Sequence, residues 1–228
     1  MKNIALLIFL AITLTGYSQT SNELTRIYPV KFKDNITLKN YYIRETYKLS
    51  PNQLILIGRS EKIKGVDGKE VDEGLKLIYL IKKDRKFVIA FISPGVDESY
   101  IYGPSFYQGS GKQAIVCETG SEYFWGADAF LLSDNGLTKL GHINVAAHIN
   151  NGEYQDSVIP FLQITEKNEE LEFSFRKKSW YNGSKIKDIS LFVNPGGDEQ
   201  TVPVSAIKYR YSFDDGWSQV KQNEKIRE

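Results

Sequence analysis

The sequence predicts an all-β protein, an antiparallel meander of ten or more strands arranged as a sandwich or in a small propeller-like way. Three observations predict it. Apolar residues recur at every second position along most of the chain, while a 3.6-residue helical period is hard to find. Turn sequences interrupt these runs at short intervals. The runs are rich in Tyr, Phe, Ile and Val, whose aromatic or branched side chains fit a pleated surface.

The 228-residue chain begins MKNIALLIFLAITLTGYS. Lys2 supplies a positive start, Ile4 to Leu14 an apolar run, and Gly16 and Ser18 the small-x-small pattern that precedes a signal-peptidase cut. The expected division is a signal peptide over 1–18, a flexible N-terminus over 19–24, a single β domain over 25–217 and a charged C-terminal tail over 218–228. The apolar run is shorter than the ~20 residues that a spanning helix needs. The only cysteine, Cys117, is far from the cut, so no lipid attachment is expected there. The expectation is a soluble periplasmic or secreted protein, with no membrane insertion after cleavage.

Loss of Lys2 with the signal takes the 29 basic residues to 28, equal to the 28 acids. A mature chain without net charge, its basic residues dispersed, offers no long-range attraction to nucleic acid, which is therefore not expected as a partner. A single cysteine makes no internal disulfide, so stability must come from a hydrophobic core.

Taken in order, QLILIG (53–58) and KFVIAFI (86–92) are apolar on both faces and are expected at the centre of a packed sheet. QAIVCET is a strand that carries Cys117 as a small buried hydrophobe. Along the next strand Tyr123, Trp125, Ala127, Ala129 and Leu131 share one face; Glu122, Phe124, Gly126, Asp128 and Phe130 share the other. In EELEFSFRK, Leu171, Phe173 and Phe175 face one way and Glu170, Glu172, Ser174 and Arg176 the other. In AIKYRYSF, Ile207, Tyr209, Tyr211 and Phe213 form one face, with Lys208 and Arg210 opposite. Turns are expected at Val66-Asp67-Gly68, Lys83-Asp84-Arg85, Asp134-Asn135-Gly136, Lys167-Asn168-Glu169, Asn194-Pro195-Gly196-Gly197 and Asp214-Asp215-Gly216, where Asn, Asp and Gly tolerate left-handed backbone angles. The hairpins over 77–92 and 129–145 echo each other, with a looser third copy over 189–211. An antiparallel meander produces such echoes without a true repeat.

Chemistry is sparse. His142 and His148 on one extended strand would stand about 20 Å apart, too far to share an ion. No metal, cofactor or catalytic residue is assigned. GSGKQ (109–113) lacks the first glycine and the hydroxyl residue of a phosphate loop: Phe106 and Gln113 occupy those places, and the segment leads into a strand. It is expected to be a hairpin turn. The acid pairs Asp97-Glu98, Asp198-Glu199 and Asp214-Asp215 fall in turn-like segments.

Aromatics in apparent loops are the stronger signal. Trp180, Tyr181, Trp217, Tyr102 and Tyr107 are the expected binding residues, since rings beside polar loop residues stack on sugars or anchor protein interfaces. Rings that fold back to cap a sheet give the same sequence pattern. The functional expectation is a non-catalytic binding protein with a protein or glycan partner, such as an envelope protein or a secreted toxin or enzyme to be neutralised. The alternatives are a hydrolase using carboxylates such as Glu118, Glu122 or Asp128, and a structural envelope component. Two carboxylates facing in one pocket would mark the hydrolase. A long open sheet edge would mark the structural component.

Overall fold

The computed structural model describes residues 24–30, 38–64, 68–71, 73–96, 100–101, 103–120, 124–134, 136–149, 154–176, 188–192 and 199–221. The expected signal peptide lies outside them. The strands, in chain order, are β1 (Thr25–Arg26), β2 (Tyr41–Ser50), β3 (Gln53–Ser60), β4 (Ile63–Lys64), β5 (Glu70–Val71), β6 (Leu75–Lys83), β7 (Lys86–Ile92), β8 (Tyr100–Ile101), β9 (Ser105–Gln108) and β10 (Gln113–Gly120). There follow β11 (Phe124–Ser133), β12 (Gly136–Ile143), β13 (Val145–Ile149), β14 (Tyr154–Asp156), β15 (Leu162–Lys167), β16 (Glu170–Phe175), β17 (Asp188–Phe192), β18 (Glu199–Pro203), β19 (Ile207–Ser212) and β20 (Gly216–Lys221). Among the described residues the only helical element is a 3-10 turn over Ile159–Phe161.

Among the described residues every strand pairing is antiparallel. The central sheet runs β1-β9-β10-β11-β12, with β8 also on β10. Beside it stand the sheets β2-β3-β6-β7, β15-β16-β19-β20 and β14-β13-β17-β18, and the small ribbon β4-β5. The period of two explains how they stack. On β10, Ile115 and Cys117 join Phe130 of β11 and Ile55, Ile57, Leu77 and Tyr79 of the β2–β7 sheet in one core. The alternate residues Ala114, Val116, Ala127 and Ala129 meet Leu162, Ile164, Leu171, Phe173, Ile207 and Tyr209 in a second. The central sheet is thus covered on both faces, as in a sandwich with a third layer. Small alanines on the second face leave room for the rings opposite.

Strand β3 is central, as its sequence predicts: Leu54 and Leu56 are buried on one face, Ile55 and Ile57 on the other. Strand β7 is not. It closes the β2-β3-β6-β7 sheet at its edge, and Val88 and Ile89 remain 36% and 43% exposed. Apolarity on both faces arises here because a bulge at Ala90 lets Phe91 reach Phe130 at 5.8 Å while Phe87 and Ile92 pack on the opposite face. The composition of a central strand therefore occurs at a rim.

Two further corrections follow from pairing. Strand β20 continues to Lys221, four residues past the expected domain end at 217, because residues 218–221 pair with Ile207–Arg210 of β19. The third hairpin echo also dissolves: β17 and β18 pair with each other, but β19 leaves for a different sheet. The hairpins β6–β7 and β11–β12, by contrast, each close a meander.

Candidate functional site

Cys117, Asp128 and His142 lie in one row across β10, β11 and β12, each opposite the next. Lys139 Nζ donates to Asp128 Oδ2 at 2.7 Å, and His142 Nδ1 donates to Oδ1 at 2.9 Å, the tautomer an ionised carboxylate requires. Burial would raise the Asp128 carboxyl, but the hydrogen bonds from His142 and Lys139 outweigh it and hold it below the usual range. Nucleophilic catalysis needs a base against the thiol. Here the carboxylate stands between thiol and imidazole, which are two strand spacings, roughly 10 Å, apart. Burial, then Asp128 and Glu118, push the Cys117 thiol well above its ordinary value. The row is a structural lock on β11 and β12. The second histidine, His148, belongs to β13 in another sheet.

Glu118 follows Cys117 and so points to the opposite face. It is 5% exposed, accepts a hydrogen bond from the Ser157 hydroxyl and lines a cavity of about 190 Å³. Arg26 and Ser105, register partners on β1 and β9, form one wall, while Ser157, Ile159, Pro160, Leu162 and Arg176 form the other. Among the described residues the cavity holds one carboxylate. Asp128 lies on the other face of the sheet, and Glu122 lies outside the described residues. No three His, Cys, Asp or Glu side chains among the described residues gather as metal ligands.

The GSGK turn does bind an anion, although that anion belongs to the chain. Glu166 Oε2 of β15 accepts from Gly111 N at 3.0 Å, Lys112 N at 3.1 Å and Ser110 Oγ at 3.2 Å. A Cβ on Gly109 would stand 2.5 Å from that carboxylate, so the glycine permits the approach. Desolvation, the largest single influence, raises the Glu166 carboxyl, but the two backbone N–H groups, the Ser110 hydroxyl and the charge of Lys112 together outweigh it and hold it low.

Of the expected binding aromatics, Trp180, Tyr181 and Tyr102 lie outside the described residues. Tyr107 is 2% exposed within the second core, so its ring offers no face to a partner in this fold. Trp217 is half-buried. Its ring stacks on Tyr209 with centroids 5.4 Å apart, meets Phe173 edge-on at 5.1 Å and covers Gly141. The exposed ring of this hairpin is Phe213, at 89%. Its alternation with Tyr209 and Tyr211 ends because residues 213–215 turn, carrying it off their face. Asp215 N donates to Ser212 Oγ at 2.9 Å, and Gly216, at φ +69°, completes the reversal.

Sequence reading named Phe213 only as a face residue, although the Asp-Asp-Gly immediately after it already marks where a strand face must end. The cavity left no local signal, since Arg26, Ser105, Ser157 and Arg176 come from four separate segments. No protein-family model matches the chain, and no curated protein or solved structure matches it either.

Proposed function

We propose that the chain is an exported, non-catalytic binding protein that holds a macromolecular partner through aromatics at its loop ends, with Phe213 as the leading contact. The observation that carries this reading is the 89% exposure of Phe213 at the apex of a fixed turn. A large ring held open to water gains most of its burial energy only when a partner covers it. Asp214 and Asp215 beside it favour a partner whose pocket has a basic rim. Trp217 anchors the base of the hairpin, so the tip is presented without an ordering cost on binding.

The test is capture from envelope and secreted fractions of the source by immobilised residues 19–228, beside Phe213→Ala, Trp180→Ala and Tyr181→Ala variants. The reading expects a partner retained by the parent and lost by Phe213→Ala, with the variant's melting temperature unchanged. Equal capture of that partner by Phe213→Ala would remove the assignment.

A structural role has one observation of its own, the β7 edge with Val88 and Ile89 part-exposed. It expects concentration-dependent assembly that Val88→Lys abolishes. A monomer at all concentrations would leave the edge without that role.

A further inference from the structure

We propose a second binding site, at the bulge of β11, that takes one pyranose ring of an uncharged glycan: Trp125 stacks on the sugar face while His142 and Lys139 hold two adjacent hydroxyls. Strict alternation would seat Trp125 beside Ala127 and Ala129 over the second core. The pairing breaks that order. Thr119 stands opposite Gly126 and Gly120 opposite Phe124, so Trp125 has no register partner on β10. Gly126 permits the bulge, since at φ +131° a Cβ there would stand 2.0 Å from the Ile143 carbonyl oxygen. The extra residue keeps 42% of its surface in water.

Polar groups stand close by. The same Cβ position lies 3.0 Å from His142 Nε2, which puts that nitrogen within about 8 Å of the Trp125 Cα, so one ring-sized ligand can meet both. Because Nδ1 donates to Asp128, Nε2 carries the lone pair and accepts. Lys139 Nζ spends one N–H on the other oxygen of Asp128 and has further N–H groups to donate. Both side chains reach water, His142 at 41% and Lys139 at 38%. An outward acceptor beside an outward donor selects the ligand. A carboxylate only accepts and an ammonium only donates, so neither satisfies the pair. Two adjacent hydroxyls satisfy both, and the C–H face of the ring that bears them fits an indole. Asp128 holds the imidazole and the ammonium in place beforehand, which spares much of their ordering cost on binding.

The experiment is an array of immobilised uncharged hexose and N-acetylhexosamine oligosaccharides probed with the whole protein, followed by titration of the glycan it retains. Saturable binding is expected, on the order of millimolar for a site of one ring. Trp125→Ala should weaken it about tenfold or more at an unchanged melting temperature. His142→Leu should weaken it roughly fivefold. Tyr42→Ala, which removes an exposed ring on β2 of another sheet, should leave it intact. Periodate, which cleaves vicinal diols, should abolish retention of the treated glycan. Trp125→Phe keeps a ring in the bulge if the alanine variant does not fold, and should lose the change in tryptophan emission that the glycan produces in the parent. Failure of every glycan to bind, full affinity in folded Trp125→Ala or His142→Leu, an equal loss in Tyr42→Ala, binding that survives periodate, or an emission change that persists in Trp125→Phe would each overturn the assignment.

Discussion

Phe213 and Trp217 sit four residues apart on one hairpin, and their environments are opposite. Trp217 lies over Gly141 of the neighbouring sheet and stacks on Tyr209; Phe213 projects with 89% of its surface in water. The same residue class therefore does two jobs. At the base a ring joins two sheets, and any change in volume is felt. At the tip a ring touches little of the fold, so any role it has there must come from something it binds. The contrast separates fold from function more cleanly than aromatic content does.

The largest expected effect breaks the base. A Cβ on Gly141 would stand 2.3–2.5 Å from three ring atoms of Trp217, so Gly141→Ala must expel the indole. We expect a loss of about 3 kcal/mol in urea unfolding. Combined with Trp217→Ala, the added methyl should cost much less, as the two positions share one contact. A Gly141→Ala protein as stable as the parent would mean that the indole is not seated there.

Asp128 is the polar counterpart of that anchor, joining β11 to β12 through Lys139 and His142. Asp128→Asn keeps the shape and removes the charge, and should cost about 2 kcal/mol at neutral pH. Because its folded pKa lies below its ordinary value, this stabilisation is complete above the ordinary aspartate range and lost as pH falls through the folded value. Parent and variant should therefore converge in acid. A gap that persists at low pH would point to packing in place of charge.

Glu166 in the GSGK turn obeys the same sign with a smaller amplitude. Its carboxyl is held below the ordinary value of 4.5, so the contribution is present above that value and disappears below it. Glu166→Gln should cost roughly 1 kcal/mol or less, since the group is largely solvated. Glu166→Ala, which removes the acceptor altogether, should gain affinity for inorganic sulfate at the vacated N–H groups, measurable as amide shifts of Gly111 and Lys112. No sulfate response would show that the turn needs Glu166 to hold its shape.

Local pattern made much of the fold legible. The alternations in Leu171-Phe173-Phe175 and Ile207-Tyr209 gave the faces that are buried, and QLILIG gave a central strand. What failed was whatever depends on the order of strands. KFVIAFI has the composition of a centre and lies at an edge, because period two reports which faces are covered and says nothing of lateral neighbours. The site was less legible still. Trp217 was visible as a loop aromatic, but its seat depends on a glycine 76 positions earlier in the chain. The cavity at Glu118 is assembled from segments whose only relation is spatial.

The smallest effect returns to the turns. In the β19–β20 turn the positive φ falls on Gly216, at +69°; in the β15–β16 turn it falls on Asn168 and Glu169, at +50° and +67°. A two-residue loop with both angles positive suits Asn followed by Gly, and Glu169 occupies the glycine place. A left-handed angle costs an L-residue about 1–2 kcal/mol, whereas glycine's extra freedom in the unfolded chain returns about 0.5–1 kcal/mol of that. Glu169→Gly should therefore stabilise the fold, by roughly 0.5 kcal/mol, visible as a small rise in the urea midpoint with an unchanged slope. Gly216→Ala should shift it the other way by a similar amount, because the added left-handed strain is partly offset by the freedom that the unfolded chain loses with the glycine. If both substitutions lower the midpoint, Glu169 is held by contacts that outweigh its backbone angle, and the two turns differ in more than their glycine.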